Sequence, residues 1–243
     1  MLKAVGIVGY KSSGKTTLAR TLARELAGRS HEVAVIKHSS HPLDLPGKDT
    51  AVLGEAAGQV GFISPQETAV FWKKPLSLEN ILPYLEADFV IVEGLKQGKT
   101  FPKIVCLREG PDDAGRDPPE DLFDGLAICA VGPADQIGGL DVPFFERDEV
   151  GPIADLVEEK GFKLPNLDCG GCGHETCYGL AREIVAGSGS LEDCVSLQPA
   201  TEVKVDGQPL PLNPFISGIV RSTILGMLSP LKGFKRGKIE IRI

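Results

Sequence analysis

Short apolar runs alternate with stretches of helical spacing along the first two thirds of the chain. Most of these runs are nearly continuous, which is typical of parallel strands that helices bury on both faces. We predict strands at 2–8, 33–37, 60–63, 68–72, 88–93, 103–107, 126–131 and 142–146. We predict helices at 17–26, 50–57, 77–85 and 152–160, the third of them capped by Ser77. The pattern therefore predicts an α/β fold with a mainly parallel sheet and helices on both faces.

A glycine-rich loop joins the first predicted strand to the first predicted helix, and it reads Gly9-Tyr10-Lys11-Ser12-Ser13-Gly14-Lys15-Thr16-Thr17. It matches the G-x-x-x-x-G-K-[ST] pattern of phosphate-binding P-loops. In such loops the backbone N–H groups and the helix N-terminus surround the phosphates of a nucleotide. We expect Lys15 to reach the β- and γ-phosphates and Thr16 to offer its hydroxyl to Mg²⁺. The motif predicts a nucleoside triphosphate and a metal, and it names neither the base nor the reaction.

Other polar residues follow the predicted strands, at the sheet edge where parallel sheets bind their ligands. Glu93 ends the strand at 88–93 and is the expected carboxylate ligand of Mg²⁺. His38, His41, Asp44 and Asp49 lie in the polar segment after the strand at 33–37. We take Glu93 and His41 as candidate catalytic groups and His38 and Asp49 as candidate nucleotide contacts. Asp44 and Asp49 are second candidates for the metal.

Two weaker candidates belong to the same sheet edge. Lys96, just after Glu93, is a possible contact for an acidic ligand. Asp135 follows the strand at 126–131 and is a possible reader of the nucleotide base. No Asn-Lys-x-Asp guanine signature occurs in the chain, so these residues do not decide between guanine and adenine.

Four cysteines, Cys169, Cys172, Cys177 and Cys194, have the spacing C-x₂-C-x₄-C-x₁₆-C, which is typical of a metal site. Four thiolates suit either a tetrahedral zinc ion or a 4Fe-4S cluster. Zinc sites tend toward two paired knuckles, whereas this chain has one compact three-cysteine loop and one distant cysteine. The pattern therefore favours a 4Fe-4S cluster, with zinc and an unmetallated or disulfide form as alternatives.

The composition changes after the last predicted helix of the sheet region. We predict a nucleotide-binding domain at 1–161, a linker at 162–167, an iron–sulfur domain at 168–199 and a small α+β unit at 200–243. The second half of the chain should contain helices at 178–185 and 214–227, a hairpin at 203–210 and a strand at 238–243. Lys and Arg outnumber Asp and Glu beyond residue 200, which indicates a solvated face or a docking surface for a partner.

Charge and composition exclude several classes of protein. The net charge of −7 argues against a general nucleic-acid-binding protein, which is more often basic. No apolar run approaches the ~20 residues of a membrane span. The first strand and P-loop leave no room for a signal peptide, and clustered cysteines suit a reducing compartment, so we expect a cytoplasmic protein. Cys106 and Cys129 lie inside apolar strands and are expected to be core residues.

The first ~160 residues resemble the molybdopterin-guanine dinucleotide biosynthesis protein B family. The matching pieces are the P-loop with Leu18, Ile36-Lys37-His38 with His41, Asp44, Gly47, Lys48 and Asp49, then Ala57-Gly58, Val92-Glu93-Gly94-Leu95-Lys96 and Lys103-Ile104-Val105. The resemblance implies a homodimer with a P-loop fold that binds GTP with Mg²⁺ and is at most a weak GTPase. It also implies two partners, molybdopterin and the guanylyltransferase that attaches GMP to it in molybdenum or tungsten cofactor synthesis.

The cysteine segment resembles the 4Fe-4S domains of corrinoid iron–sulfur proteins, which share D-C-G-x-C-G-x-x-x-C, a helix and a fourth cysteine. Two other functions stay open for the whole chain. One is a P-loop small-molecule kinase, in which Glu93 or His41 activates an acceptor. The other is a redox module in which nucleotide binding gates electron transfer through the cluster.

Overall fold

The structure is a computed structural model that describes residues 2–43, 47–108, 119–133, 142–197, 201–235 and 239. The chain divides into two compact units, Met1–Lys163 and Leu164–Ile243. Asp44, Asp135 and nearly all of the strand predicted at 238–243 lie outside the described residues. The finer domain borders within the second unit stay a prediction.

The first unit contains eight strands and four α-helices within its described residues. The strands are β1 Lys3–Gly9, β2 Val33–Lys37, β3 Gln59–Ile63, β4 Thr68–Trp72, β5 Phe89–Glu93, β6 Lys103–Cys106, β7 Ala127–Val131 and β8 Phe144–Phe145. The helices are α1 Lys15–Gly28, α2 Asp49–Ala56, α3 Leu78–Ile81 and α4 Val150–Lys160.

Six of these strands form one parallel sheet in the order β2-β5-β1-β6-β7-β8. Its register sets Ile7 of β1 and Lys37 of β2 on either side of Glu93 at the end of β5. All six strands of this sheet point the same way. The P-loop after β1 and the residues that end β2 and β5 therefore share one edge of the sheet. The predicted parallel α/β fold is confirmed.

Apolar side chains cover both faces of the central strands. Helix α1 buries Leu18, Ala19, Leu22 and Leu26 and packs against α4 as well as β1, β2 and β5. Each fully buried leucine contributes about 1.5–3 kcal/mol. A second cluster joins buried Ala4, Val90, Val92 and Phe101 to Leu78, Leu82 and Leu85. Period-two alternation along β1 puts Ala4 on the face opposite to buried Val5, so the sheet is sandwiched between apolar layers.

The two short strands predicted at 60–63 and 68–72 pair as an antiparallel hairpin, β3–β4, which is separate from the main sheet. Two other elements differ from the prediction. The helix predicted at 77–85 is short: α3 gives way to a 3₁₀ turn, Leu82–Tyr84, because Pro83 has no N–H to continue the α-helical bonds. Its cap is as predicted, since the Ser77 hydroxyl accepts the N–H of Asn80. The strand predicted at 142–146 is only two residues long.

The second unit contains α5 Cys177–Ala186, β9 Lys204–Val205, β10 Gln208–Pro209 and α6 Pro214–Leu228. Thr176 and Asn213 cap the two helices by accepting N–H groups of the first turn. The hairpin turns at Asp206 and Gly207, which both have positive φ as a type I′ turn requires. Across the described parts of the chain, no helix has the length and apolar character needed to cross a membrane.

Candidate functional site

The loop between β1 and α1 has the curled backbone of a phosphate-binding loop. Ser12 and Gly14 adopt left-handed conformations, with φ of 65° and 86°. Left-handed residues next to right-handed ones turn successive N–H groups toward one point, which makes an anion-binding nest. Gly9 is required for close approach, because a Cβ there would lie 2.4 Å from Ser13 Oγ and 2.6 Å from the Cys106 carbonyl oxygen. The loop residues therefore fit a bound phosphate group.

Lys15 is the first residue of α1, and its ammonium lies against the loop. It donates a hydrogen bond to the Tyr10 carbonyl oxygen and lies 3.5 Å from Ser13 Oγ. Burial lowers the pKa of Lys15, although the negative charge of Glu93 acts in the opposite direction. A partly desolvated ammonium beside an anion-binding loop is suited to contact a phosphate, which would replace the lost hydration.

Thr16, Glu93 and Lys37 meet at the carboxyl ends of β5 and β2. The Thr16 hydroxyl donates to Glu93 Oε1 at 2.7 Å, and the Lys37 ammonium donates to the same oxygen at 2.8 Å. The Lys37 ammonium is also 3.3 Å from Thr16 Oγ1. Glu93 is 6% exposed. Burial acts to raise the pKa of Glu93, but the hydrogen bonds from Lys37 and Thr16 outweigh it and lower the pKa below its ordinary value.

This trio fits the Mg²⁺ that the P-loop implies. A hydroxyl oxygen and a carboxylate oxygen are hard ligands of the kind Mg²⁺ prefers. A cation, the Lys37 ammonium, already contacts both of them. Thr16 and Glu93 are 77 positions apart in sequence, and the parallel register brings them together.

Two arginines beside the P-loop were not predicted from the sequence. Arg108 lies two residues after the end of β6 and donates through Nε to the Lys11 carbonyl oxygen at 3.1 Å. Arg147 follows β8, donates to the Leu107 carbonyl oxygen at 3.0 Å, and places Nε 3.3 Å from where a Cβ on Gly14 would lie. Their position after strands of the sheet was the one available signal, and a single arginine after a strand is too common to be diagnostic.

The remaining candidates near this edge are less closely tied to the loop. The Lys96 ammonium lies 3.9 Å from the centre of the Tyr10 ring. The His38 N–H donates to the Glu93 carbonyl oxygen, and the His41 N–H donates to Ser39 Oγ. Both histidines and Asp49 are exposed. Within the described residues, no side-chain hydrogen bond joins these three to the P-loop.

The second candidate site is a cavity in the second unit that all four clustered cysteines line. The empty space that it borders, part of which is open solvent, amounts to about 300 Å³. Its wall also contains Pro165, Leu167, Leu180 and Val195. Within the described part of the chain, no three His, Cys, Asp or Glu side chains form a group that could hold a metal ion. The four cysteines therefore border a shared space and do not converge on one point.

Backbone geometry holds the cysteine loop in shape. Asp168 has a positive φ of 44°, and its carboxylate accepts the Cys177 N–H at 2.6 Å. Gly171 has no space for a side chain, because a Cβ would lie 2.6 Å from Val195 Cγ2 and 2.8 Å from Pro214 Cγ. Cys177 begins α5, where the helix dipole favours a thiolate, but burial raises the pKa of this thiol above its ordinary value.

Electrostatics at the cavity fit a positively charged metal group. Burial raises the pKa of Cys194, the charges of Cys172 and Cys169 raise it further, and the N–H groups of Ser196 and Leu197 oppose the shift. The Ser196 hydroxyl is buried and lies 3.5 Å from Cys169 Sγ. Crowded thiolates repel one another until a metal neutralises them, and hydrogen bonds to sulfur are a usual feature of iron–sulfur sites.

The other two cysteines are core residues of the sheet, as predicted. Cys106 and Cys129 are buried in β6 and β7, and burial raises the pKa of each thiol to about 12. All six cysteines of the chain are described, and none is in a disulfide.

Two family models match different parts of the chain. The model described as "Molybdopterin guanine dinucleotide synthesis protein B" matches residues 4–124. The model described as "Putative Fe-S cluster" matches residues 164–196, which include all four clustered cysteines.

Curated relatives match over long stretches. A "Putative molybdopterin-guanine dinucleotide biosynthesis adapter protein" of Methanocaldococcus jannaschii is 32% identical over 253 residues, covering 100% of this chain and 98% of the relative. The "Molybdopterin-guanine dinucleotide biosynthesis adapter protein" of Escherichia coli is 32% identical over 169 residues, covering 65% and 93%. The crystal structure of Bacillus subtilis MobB shares the fold, with a TM-score of 0.51, 20% identity, and coverage of 65% of this chain and 97% of that one.

Proposed function

Because the chain belongs to the molybdopterin guanine dinucleotide synthesis protein B family, we propose that it is a cytoplasmic GTP-binding adapter in synthesis of the guanine dinucleotide form of molybdopterin. It carries an added iron–sulfur cluster in its second unit. The observation that supports nucleotide binding most strongly is the P-loop with the Thr16 hydroxyl bonded to the Glu93 carboxylate. The preference for guanine over adenine rests on the family membership. The family membership leaves open whether the metal of the final cofactor is molybdenum or tungsten.

The residues of the first site divide the work of holding a Mg²⁺–nucleotide. The N–H groups of the P-loop and the Lys15 ammonium bind the phosphate oxygens. Thr16 and Glu93 hold the metal, which neutralises charge on the phosphates when bound. The loop takes its shape from its other residues, Tyr10, Lys11, Ser12, Ser13 and Thr17. We propose His38 and Asp49 as further contacts for the nucleotide.

We propose that hydrolysis of GTP is weak at most. An efficient general base has a pKa near the working pH. The pKa of Glu93 is instead held low by Lys37 and Thr16, so this carboxylate is a poor proton acceptor at neutral pH. His41 is exposed, and its one described hydrogen bond runs from its backbone N–H to Ser39 Oγ. The arrangement favours binding and release of nucleotide over rapid turnover, as suits an adapter.

Replacing Lys15 by Ala tests the nucleotide site. GTP binding should weaken at least tenfold, because a hydrogen bond to a charged group contributes about 1.5–3 kcal/mol. Calorimetric titration with GTP and Mg²⁺ measures the affinity. Lys74→Ala, at an exposed lysine outside the site, is the matched control and should bind as the wild type does. A Lys15→Ala protein that binds GTP as tightly as this control would refute the site.

We propose that Cys169, Cys172, Cys177 and Cys194 hold a 4Fe-4S cluster. Support comes from their shared cavity, the Ser196 hydroxyl 3.5 Å from Cys169 Sγ and the family model that covers them. Anaerobically purified Cys172→Ser and Cys194→Ser proteins should lose most of their iron and sulfide, while Cys129→Ala, at a buried core cysteine, should retain both. Full iron content in both serine variants, or zinc without iron in the wild type, would overturn the assignment.

The proposed partners are molybdopterin, the guanylyltransferase and a second copy of this chain. The homodimer draws support from exposed apolar side chains on α2 and the β3–β4 hairpin, among them Leu53, Ile63 and Val70. Sedimentation velocity should show a dimer, and Ile63→Lys should shift it toward monomer. Gln66→Lys in the same hairpin is the charge-matched control. A wild-type monomer at all concentrations would exclude the dimer.

A further inference from the structure

Lys37 contacts the two oxygens that are the proposed ligands of Mg²⁺. Its ammonium lies 2.8 Å from Glu93 Oε1 and 3.3 Å from Thr16 Oγ1. We propose that Lys37 is a built-in cation that stands in for Mg²⁺ and competes with it for Glu93. This inference rests on the proposed nucleotide site and assigns that site a further residue, which sets its metal dependence.

The sheet fixes the backbone of Lys37 beside Glu93. Lys37 and Glu93 are partners in the parallel register of β2 and β5, and each is the last residue of its strand. The His38 N–H donates to the Glu93 carbonyl oxygen at 2.8 Å, which extends this pairing by one residue. The ammonium therefore reaches the carboxylate from a neighbouring strand, with no loop that must first fold over the site.

Exposure differs greatly between the two partners of this ion pair. The Lys37 side chain is 58% exposed, whereas the Glu93 side chain is 7% exposed. A solvated ammonium gains little from one ion pair, since water competes for it. A nearly buried carboxylate, in contrast, needs a cation at all times. Lys37 is thus able to leave without cost to the fold, provided that another cation takes its place at Glu93.

Lys37 and Mg²⁺ compete for the same two oxygens. The Thr16 hydroxyl donates its hydrogen to Glu93 and keeps its lone pairs free for a cation, and the Lys37 ammonium is the cation that now lies 3.3 Å from that oxygen. A divalent ion between Thr16 and Glu93 would also repel the Lys37 ammonium at these short distances.

Two opposite effects follow for a variant that lacks the charge. Without metal, Lys37 neutralises Glu93 beside the phosphates, so Lys37→Gln should weaken GTP binding in EDTA. With metal, the competitor is gone, so the same variant should bind Mn²⁺ more tightly. Each change should be about two- to fivefold, the range of one exposed ion pair. Lys37→Arg retains the cation and should stay near the wild type in both measurements.

The experiment uses the full iron-loaded chain as wild type, Lys37→Gln, Lys37→Arg and the control Lys74→Gln, which removes one exposed charge elsewhere. Calorimetry gives GTP affinity in EDTA and in Mg²⁺, and electron paramagnetic resonance gives Mn²⁺ affinity with and without GTP. Weaker GTP binding in EDTA combined with tighter Mn²⁺ binding in Lys37→Gln alone supports the proposal. Equal weakening of GTP binding with and without metal, at unchanged Mn²⁺ affinity, makes Lys37 an ordinary phosphate ligand and overturns it.

Failure of the proposed function gives a separate result. A wild type that binds no GTP in either buffer refutes the nucleotide site itself. The Mn²⁺ titration of nucleotide-free protein still decides the competition in that case. An unchanged Mn²⁺ affinity in Lys37→Gln then refutes the role of Lys37 as well.

Discussion

Asp124→Asn is expected to destabilise the first unit by about 3–5 kcal/mol, the cost of breaking a buried ion pair from one side. Lys103 is 1% exposed and extends its ammonium into the interior. There it lies 2.7 Å from Asp124 Oδ2 and 2.7 Å from the Lys96 carbonyl oxygen. Removal of the carboxylate charge leaves a buried ammonium with only neutral partners.

The other partner is less costly to remove. Lys103→Met deletes the buried charge and keeps most of the apolar stem, while Asp124 retains Lys99 at 2.8 Å. The loss is then mainly that of the hydrogen bond to the Lys96 carbonyl oxygen, about 1–3 kcal/mol. Lys99→Met, which removes the more exposed pair, should cost about 0–1 kcal/mol. The expected order of destabilisation is therefore Asp124→Asn, then Lys103→Met, then Lys99→Met.

Urea unfolding measures these costs. The single tryptophan of the chain, Trp72, lies in β4 of the first unit and provides a fluorescence signal for that unit. The free energy of unfolding follows from the midpoint and slope of each transition. A cost below about 1 kcal/mol for Asp124→Asn, or a larger cost for Lys103→Met, would refute the assignment of a buried ion pair whose charge must be balanced.

Asp124, Gly9 and Ser196 each allow one further test. Burial acts to raise the pKa of Asp124, but Lys103 and Lys99 outweigh it and hold the pKa below its ordinary value. The stabilisation that this carboxylate gives is therefore complete at neutral pH and is lost as the pH falls below about 4. Thermal unfolding across acidic pH should show less of this loss in Asp124→Asn. Gly9→Ala should abolish GTP binding because its Cβ collides with the loop, whereas Gly58→Ala, where a Cβ meets nothing within 4 Å, should bind GTP normally. Ser196→Ala should retain its iron, but the reduction potential of the cluster should fall because the hydroxyl no longer donates to Cys169. The expected fall is up to about 59 mV, which is a tenfold change in a one-electron equilibrium. An unchanged potential in voltammetry would contradict this.

The sheet and the P-loop were predictable because their signals are local. Continuous apolar runs mark buried strands, and the spacing of Gly14, Lys15 and Thr16 marks the loop whatever the rest of the chain does. Ser77 was predictable as a cap for the same reason. The early end of the helix at 77–85 follows from Pro83, whose effect a helical period alone does not register.

The set of charges around the P-loop was not predictable, because it depends on strand order and register. Glu93 was inferred from its place at a strand end, but Lys37 becomes its partner only because β2 lies next to β5. Arg147 reaches Gly14 only because β8 joins the same parallel sheet. No local pattern in the sequence gives the order in which strands assemble.

The cysteine spacing predicted a shared site, but its hydrogen bonds were invisible in the sequence. Asp168 precedes the first cysteine by one residue, and its carboxylate holds the N–H of Cys177. Ser196 approaches Cys169 from 27 positions away, so its role depends on how the loop closes. Serine and aspartate at such places are too common to be singled out without coordinates.

One titration decides whether the first unit binds GTP for an adapter function. Iron-loaded protein is titrated anaerobically with GTP and, separately, with ATP, each with Mg²⁺. We expect a clear preference for GTP, and binding weakened at least tenfold in Lys15→Ala. Equal affinity for the two nucleotides, or a preference for ATP, would contradict it and favour a P-loop kinase or a nucleotide-gated redox module.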